Sequence, residues 1–110
     1  FIRAMLSGMG LSIDFATSGQ EAIRLAEKTK YQLMLMDIQL PDLSGIEVTK
    51  RIRQIRHHQH TEVLAFTAHA LPEEVASFKL AGMDDVLFKP LDERKIAHIL
   101  QRLSVFKEKW

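Results

Sequence analysis

Three apolar runs in this chain each end on a residue able to do chemistry: LMLM runs into Asp37, VLAF into Thr67 and VLF into Lys89. Taken singly, Asp37 could cap a turn, Thr67 is a good strand former, and Lys89 could be a solvated lysine. Taken together they are a carboxylate nucleophile, a hydroxyl donor and a fixed ammonium. A site that forms and holds an aspartyl phosphate needs those groups. The three must meet for that chemistry, so the question passes to the elements that carry them.

Each run is short and continuously apolar, which suits a strand covered on both faces of a parallel sheet. The pattern predicts strands over residues 33–36, 62–67 and 86–88. Helical signals alternate with them. Ser18 and Glu21 form a capping box ahead of a helix that buries Ala22, Ile23, Leu25 and Ala26. Residues 45–57 carry Val48, Ile52 and Ile55 on one helical face. Pro72, followed by Glu73 and Glu74, opens a short helix with Val75 and Phe78 inward, closed by Gly82. Asp92 caps a last helix in which Ile96, Ile99, Leu100, Leu103 and Phe106 keep helical spacing. Upstream, Ile2, Met5, Leu6 and Met9 form a helical stripe ended by Gly10, and residues 11–16 (LSIDFA) read as a half-exposed strand.

The alternation implies right-handed βαβ units, hence a doubly wound parallel α/β sheet with helices on both faces. In such a sheet, ligands bind outside the carboxyl ends of the strands. Asp37, Thr67 and Lys89 are therefore expected on one edge.

A chain of 110 residues is one domain by length. Its net charge of +1 gives no global field for nucleic acid or an anionic membrane, so no direct contact with either is expected. Without cysteine there is no disulfide framework or cysteine-ligated metal site. No apolar run approaches the roughly 18 residues of a membrane span, and the start lacks the features of a secretory leader. The first residue is not methionine, so a segment of a longer protein is expected.

Three motifs then make the pattern specific. DIQLPDLSG (37–45) resembles the phosphoacceptor loop of the receiver domain of two-component response regulators. FTAHA (66–70) resembles that family's strand-ending threonine followed by a small residue. AGMDDVLFKPL (81–91) resembles its segment running into lysine and proline. The TAHA and MDDVLFKPL wording is most similar to receivers fused to hybrid histidine kinases.

The resemblance implies a flavodoxin-like (CheY-like) fold of strand order 2-1-3-4-5 spanning residues 1–110. It implies a phosphorelay step in which Asp37 takes a phosphoryl group from a phosphohistidine on a histidine kinase or histidine phosphotransfer domain. Lys89 would then pair with the phosphoryl oxygens and the Thr67 hydroxyl would swing to bond one of them. Mg2+ is the implied cofactor, held by Asp37 and the Gln39 backbone carbonyl together with an acidic pair. Ala68 would leave room beside the phosphoryl group, Gln39 and His69 would tune its lifetime, and Pro90 would follow the lysine. No conventional substrate turnover is implied. A receiver dimer would use the helix Pro72–Ala81 and the helix over 92–106, and the domain would be cytoplasmic, on its own or within a membrane-anchored kinase.

The sequence departs from the family at two places. The first strand and the acidic pair at its end are missing, so this chain alone is expected to bind metal weakly and to lack a strand in the middle of its sheet. An aromatic residue three positions before the lysine is usual, and Val86 stands there; Phe88 shares its face by strand alternation. The main alternative is a pseudo-receiver, an interaction module without phosphorylation. A phosphohydrolase with an aspartate nucleophile would want a second aspartate two residues on, where Gln39 stands. HHQH (57–60) is read as a solvated helix end.

Overall fold

The computed structural model describes residues 13–108, with side chains to residue 102. The helix expected over residues 2–9 lies outside them. The elements are α1 (Gly19–Lys28), β1 (Leu33–Asp37), α2 (Gly45–Arg53), β2 (Glu62–Thr67), α3 (Pro72–Ala81), β3 (Asp85–Phe88) and α4 (Glu93–Glu108), with a single 3-10 turn at Arg56–His58.

The three strands lie side by side in chain order, β1-β2-β3, and both pairs are parallel. Register sets Asp37 opposite Phe66 and Thr67 opposite Phe88, so the strand ends come level on one edge. Side-chain alternation divides the core. Met36, Val63 and Ala65 face Ala26 of α1, Val48 and Ile52 of α2 and Phe78 of α3. Leu64 and Leu87 face the other way, against Ile96 and Ile99 of α4. Helices thus cover both faces, as the alternation predicts.

The ends of the helices follow local chemistry. Ser18 Oγ accepts the Glu21 N–H at 3.1 Å, while the Glu21 carboxylate accepts from Thr17 Oγ1 at 3.0 Å, so only half of the predicted capping box forms. Gly82 closes α3 at φ 110°, a conformation that favours glycine. Asp92 Oδ1 caps α4 by accepting the Lys95 N–H at 2.9 Å.

Three sequence expectations need correction. Residues 13–16 are not a strand, and 11–12 lie outside the described residues; alternation marks one apolar face but does not by itself specify a ladder partner. The helix predicted over 45–57 ends at Arg53, where Ile55 N–H bonds back to Ile52 O at 2.9 Å and Ile55 itself is extended. The HHQH segment is not simply solvated: His57 and His60 are exposed, but His58 is fully buried. Its Nε2 lies 2.8 Å from Ala26 O and 3.0 Å from Thr29 O, so that nitrogen carries the proton, and Nδ1 accepts from Thr61 Oγ1 at 2.9 Å. A straight helix would not deliver the imidazole to those carbonyls. Burial pushes the His58 pKa down.

Candidate functional site at the carboxyl edge of the sheet

The apolar residues of β1 pack into both cores, Met34 and Met36 on one side and Leu33 and Leu35 on the other. They fix the backbone that presents Asp37. Register and alternation do the rest: Lys89 N–H donates to Thr67 O at 2.8 Å, continuing the β2–β3 ladder by one step. The Lys89 ammonium then reaches across β2 to Asp37 Oδ2 at 2.9 Å. It also lies 5.4 Å from the centroid of the Phe66 ring, within range of a cation–π attraction.

This ion pair is half-open to solvent, with the side chains 37% and 34% exposed. Such a pair contributes on the order of 0–1 kcal/mol to folding. Its consequence is chemical: a carboxylate stands beside a cation that can move onto incoming negative charge.

The other oxygen, Asp37 Oδ1, accepts the Gln39 N–H at 3.0 Å, a turn in which a carboxylate bonds the backbone two residues on. The loop closes at Gly45, whose N–H donates to Ile38 O at 2.9 Å, with Gln39 and Ser44 bridging. A Cβ on Gly45 would lie 2.3 Å from the Asp37 carbonyl oxygen, so glycine is what lets α2 start this close to the site. Ser44 Oγ caps α2 through the Glu47 N–H at 3.2 Å.

Asp42, inside the same loop, reaches 23 residues back to the start of α1. It accepts the Gly19 N–H at 2.7 Å and the Gln20 N–H at 3.0 Å. With Ser18 on Glu21, the first three N–H groups of α1 are satisfied by two side chains from different segments. The Gly19 and Gln20 N–H groups hold the Asp42 carboxyl below the usual carboxylate range.

Thr67 is half-buried at the end of β2, and its hydroxyl donates to His69 O at 3.0 Å within its own loop. Ala68 and His69 are exposed, as are Gln39 and Pro90, the latter after a cis Lys89–Pro90 peptide. The structure therefore joins Asp37 directly to Lys89 and Gln39, and brings Thr67 to the same edge with its hydroxyl engaged elsewhere. Val86 packs on the first core, while Phe88 is 42% exposed beside Thr67 in register.

For a divalent cation, the described residues offer the Asp37 carboxylate and backbone carbonyls such as that of Gln39. No group of three or more His, Asp or Glu that could hold a metal occurs among the described residues. Mg2+ takes about six oxygens and is held through one or two carboxylates with several waters. One carboxylate already paired to Lys89 does not make that site.

Sequence reasoning missed Phe66 and Asp42. Phe66 could have been found from the register that sets it opposite Asp37. No local signal marks Asp42, because its partners are 22 and 23 residues away.

The architecture is that of the CheY-like folds. The chain aligns with the crystallised chemotaxis protein CheY4 of Vibrio cholerae at TM-score 0.86 and 27% identity, covering 92% of this chain and 84% of that one. The family model of the response regulator receiver domain matches residues 1–101, and the chain belongs to this family. Among curated proteins it is 39% identical over 92% of its length to the signal transduction histidine-protein kinase BarA of Escherichia coli K12. It is 33% identical over 90% of its length to hybrid signal transduction histidine kinase I of Dictyostelium discoideum. The chain spans 11% and 6% of the length of those relatives. At 37% identity and TM-score 0.81, it covers 83% of the receiver domain of a Pseudomonas aeruginosa sensor histidine kinase, 92% of this chain aligning. The crystal of that domain has a magnesium ion coordinated in the active-site cleft.

Proposed function

We propose that this receiver domain accepts a phosphoryl group on Asp37 from a phosphohistidine of a histidine kinase or histidine phosphotransfer domain. The observation that carries the reading is the 2.9 Å contact between Lys89 Nζ and Asp37 Oδ2 at the carboxyl edge of a parallel sheet. In the transfer, an Asp37 carboxylate oxygen attacks phosphorus and the P–N bond breaks, its electron pair returning to the imidazole nitrogen. The added charge falls on the phosphoryl oxygens, where the Lys89 ammonium follows it. Such transfer is mainly positioning and charge neutralisation, which suits a site of so few groups.

Thr67 then exchanges its bond to His69 O for a phosphoryl oxygen, and Ala68 leaves that approach open. The readout face is the start of α3 and the end of β3, where the helix N-cap Leu71 is 56% exposed and Phe88 stands beside Thr67 in register. A second copy of the domain or a downstream partner would dock there. Mg2+ binding is proposed for a complete domain that supplies the acidic pair, by analogy with the P. aeruginosa relative, and is expected to be weak in these 110 residues alone; no step above depends on it. The domain is placed in the cytoplasm on the same analogy with kinase receivers; among the described residues no helix is long and apolar enough to cross a membrane.

Incubation of the full-length protein with acetyl phosphate tests the reading. The unsubstituted protein takes the label and Asp37→Ala does not. Labelling that persists in Asp37→Ala identifies a different acceptor, and an unlabelled parent protein supports the interaction-module reading instead.

A further inference from the structure

Lys89 carries the charge at the site, but its own backbone sits in a loop poor in internal bonds. Pro90 has no N–H to donate. The one ladder bond, Lys89 N–H to Thr67 O, fixes the strand side of the loop and leaves the carbonyls to be satisfied from elsewhere. Both carbonyls flanking Lys89 find the same donor. Lys95 Nζ lies 2.5 Å from Phe88 O and 2.9 Å from Pro90 O.

Lys95 belongs to the first turn of α4, where the helix dipole favours acids and opposes an ammonium. Its backbone is set by the Asp92 cap on its own N–H. The side chain folds back from that turn over the loop, and its charge is met by two carbonyl oxygens. The helix start, itself anchored through buried Ile96, is thereby tied to the residues immediately before and after Lys89.

We propose that Lys95 is a positioning residue for Lys89: its ammonium clamps the 88–90 backbone so that the Lys89 ammonium is held at Asp37. The inference rests on the phosphoacceptor reading of Asp37 for its effect on transfer, though not for the clamp itself. Lys95→Met keeps the length of the side chain and removes its donors. Lys95→Arg restores a cation able to serve two carbonyls.

Two measurements on the full-length protein decide it. Hydrogen–deuterium exchange over residues 87–91 is expected to quicken at least fivefold in Lys95→Met, with residues 62–67 unchanged and Lys95→Arg near the parent. Labelling by acetyl phosphate is expected to slow three- to tenfold in Lys95→Met, whereas adding the same substitution to Lys89→Ala changes nothing further. Unaltered exchange over 87–91 overturns the proposal, as does an equal quickening over 62–67, which marks general loosening. Equal slowing in the Lys89→Ala background overturns it too. A parent protein that takes no label, or an Asp37→Ala variant that does, refutes the phosphoacceptor reading. The exchange measurement still decides whether Lys95 holds the loop.

Discussion

Gly45→Ala tests how the loop that follows Asp37 is held. The added Cβ would lie 2.3 Å from Asp37 O and 3.0 Å from both Asp37 C and Ile38 Cα, all backbone atoms. An ordinary carbon–oxygen contact is about 3.3 Å, so the end of β1 and the start of α2 must separate by about 1 Å. No rotamer change can relieve the clash. Both segments are anchored, one through Met36 in the sheet and the other through Val48 and Ile52 in the core.

Overpacking of this kind costs about 1–3 kcal/mol, and contact with backbone puts it at the upper end. A Gly→Ala gain in helix propensity offsets up to about 1 kcal/mol. The net loss is about 2 kcal/mol, a fall in melting temperature of about 8 °C for a domain of this size. The displaced atoms belong to Asp37, the proposed phosphoacceptor, and a misplacement of 1 Å can cost on the order of 100-fold in rate. Labelling of Asp37 should therefore slow more than tenfold. Thermal melts followed by circular dichroism, with labelling by acetyl phosphate, check both numbers. Gly19→Ala is the control, since its Cβ would meet the side chains of Val48, Leu43 and Asp42 rather than backbone. A Gly45→Ala protein that melts within about 2 °C of the parent, or no lower than Gly19→Ala, refutes the reasoning.

Two further outcomes follow from the opposite edge of the sheet. The fold favours neutral His58, so the denatured chain takes up that proton at a higher pH than the folded one; the stabilisation is complete above the ordinary histidine value of about 6.5 and is lost as pH falls through it. Urea midpoints from pH 8 to pH 5 should fall more steeply in the parent than in His58→Gln, and parallel profiles would show that His58 is not the group responsible. Arg53 donates to Gly82 O, His58 O, Thr61 O and Asp84, so Arg53→Met strands several carbonyls and should cost about 2–4 kcal/mol. Labelling measured well below the melting temperature should stay within twofold of the parent, because these partners lie at the starts of the strands.

The strand-end residues were legible because an apolar run that stops at a polar side chain reports both the strand and its end. Parallel pairing then forces successive ends to one edge, which is why Asp37 and Lys89 meet across 52 residues. Caps carried by a local pattern were legible too, at Ser18, Gly82 and Asp92. Periodicity is silent on partners, however, and the misses are of that kind. Alternation over residues 11–16 marks an apolar face but not a neighbouring strand. His58 reads as one polar residue among several, and only the carbonyls of Ala26 and Thr29 at the end of α1 make it a core residue. Asp42 and Lys95 look like surface charges until the fold brings backbone groups to them.

The distribution of these contacts bears on how a switch can change charge without unfolding. At the starts of β2 and β3, Arg53 ties α2 to Gly82, Thr61 and Asp84, and Arg102 of α4 pairs with Glu62 and Asp85. The buried His58 bonds to α1 at the same end. At the other end, the Asp37–Lys89 pair is half-exposed and contributes little to folding, and the Thr67 hydroxyl is held by a single exposed bond. Under the proposed phosphorylation, charge added at Asp37 would act on contacts that are inexpensive to exchange, while the groups that hold the helices to the sheet lie a strand length away. A rearrangement can then stay confined to the carboxyl-edge loops and to the α3 face that adjoins Thr67.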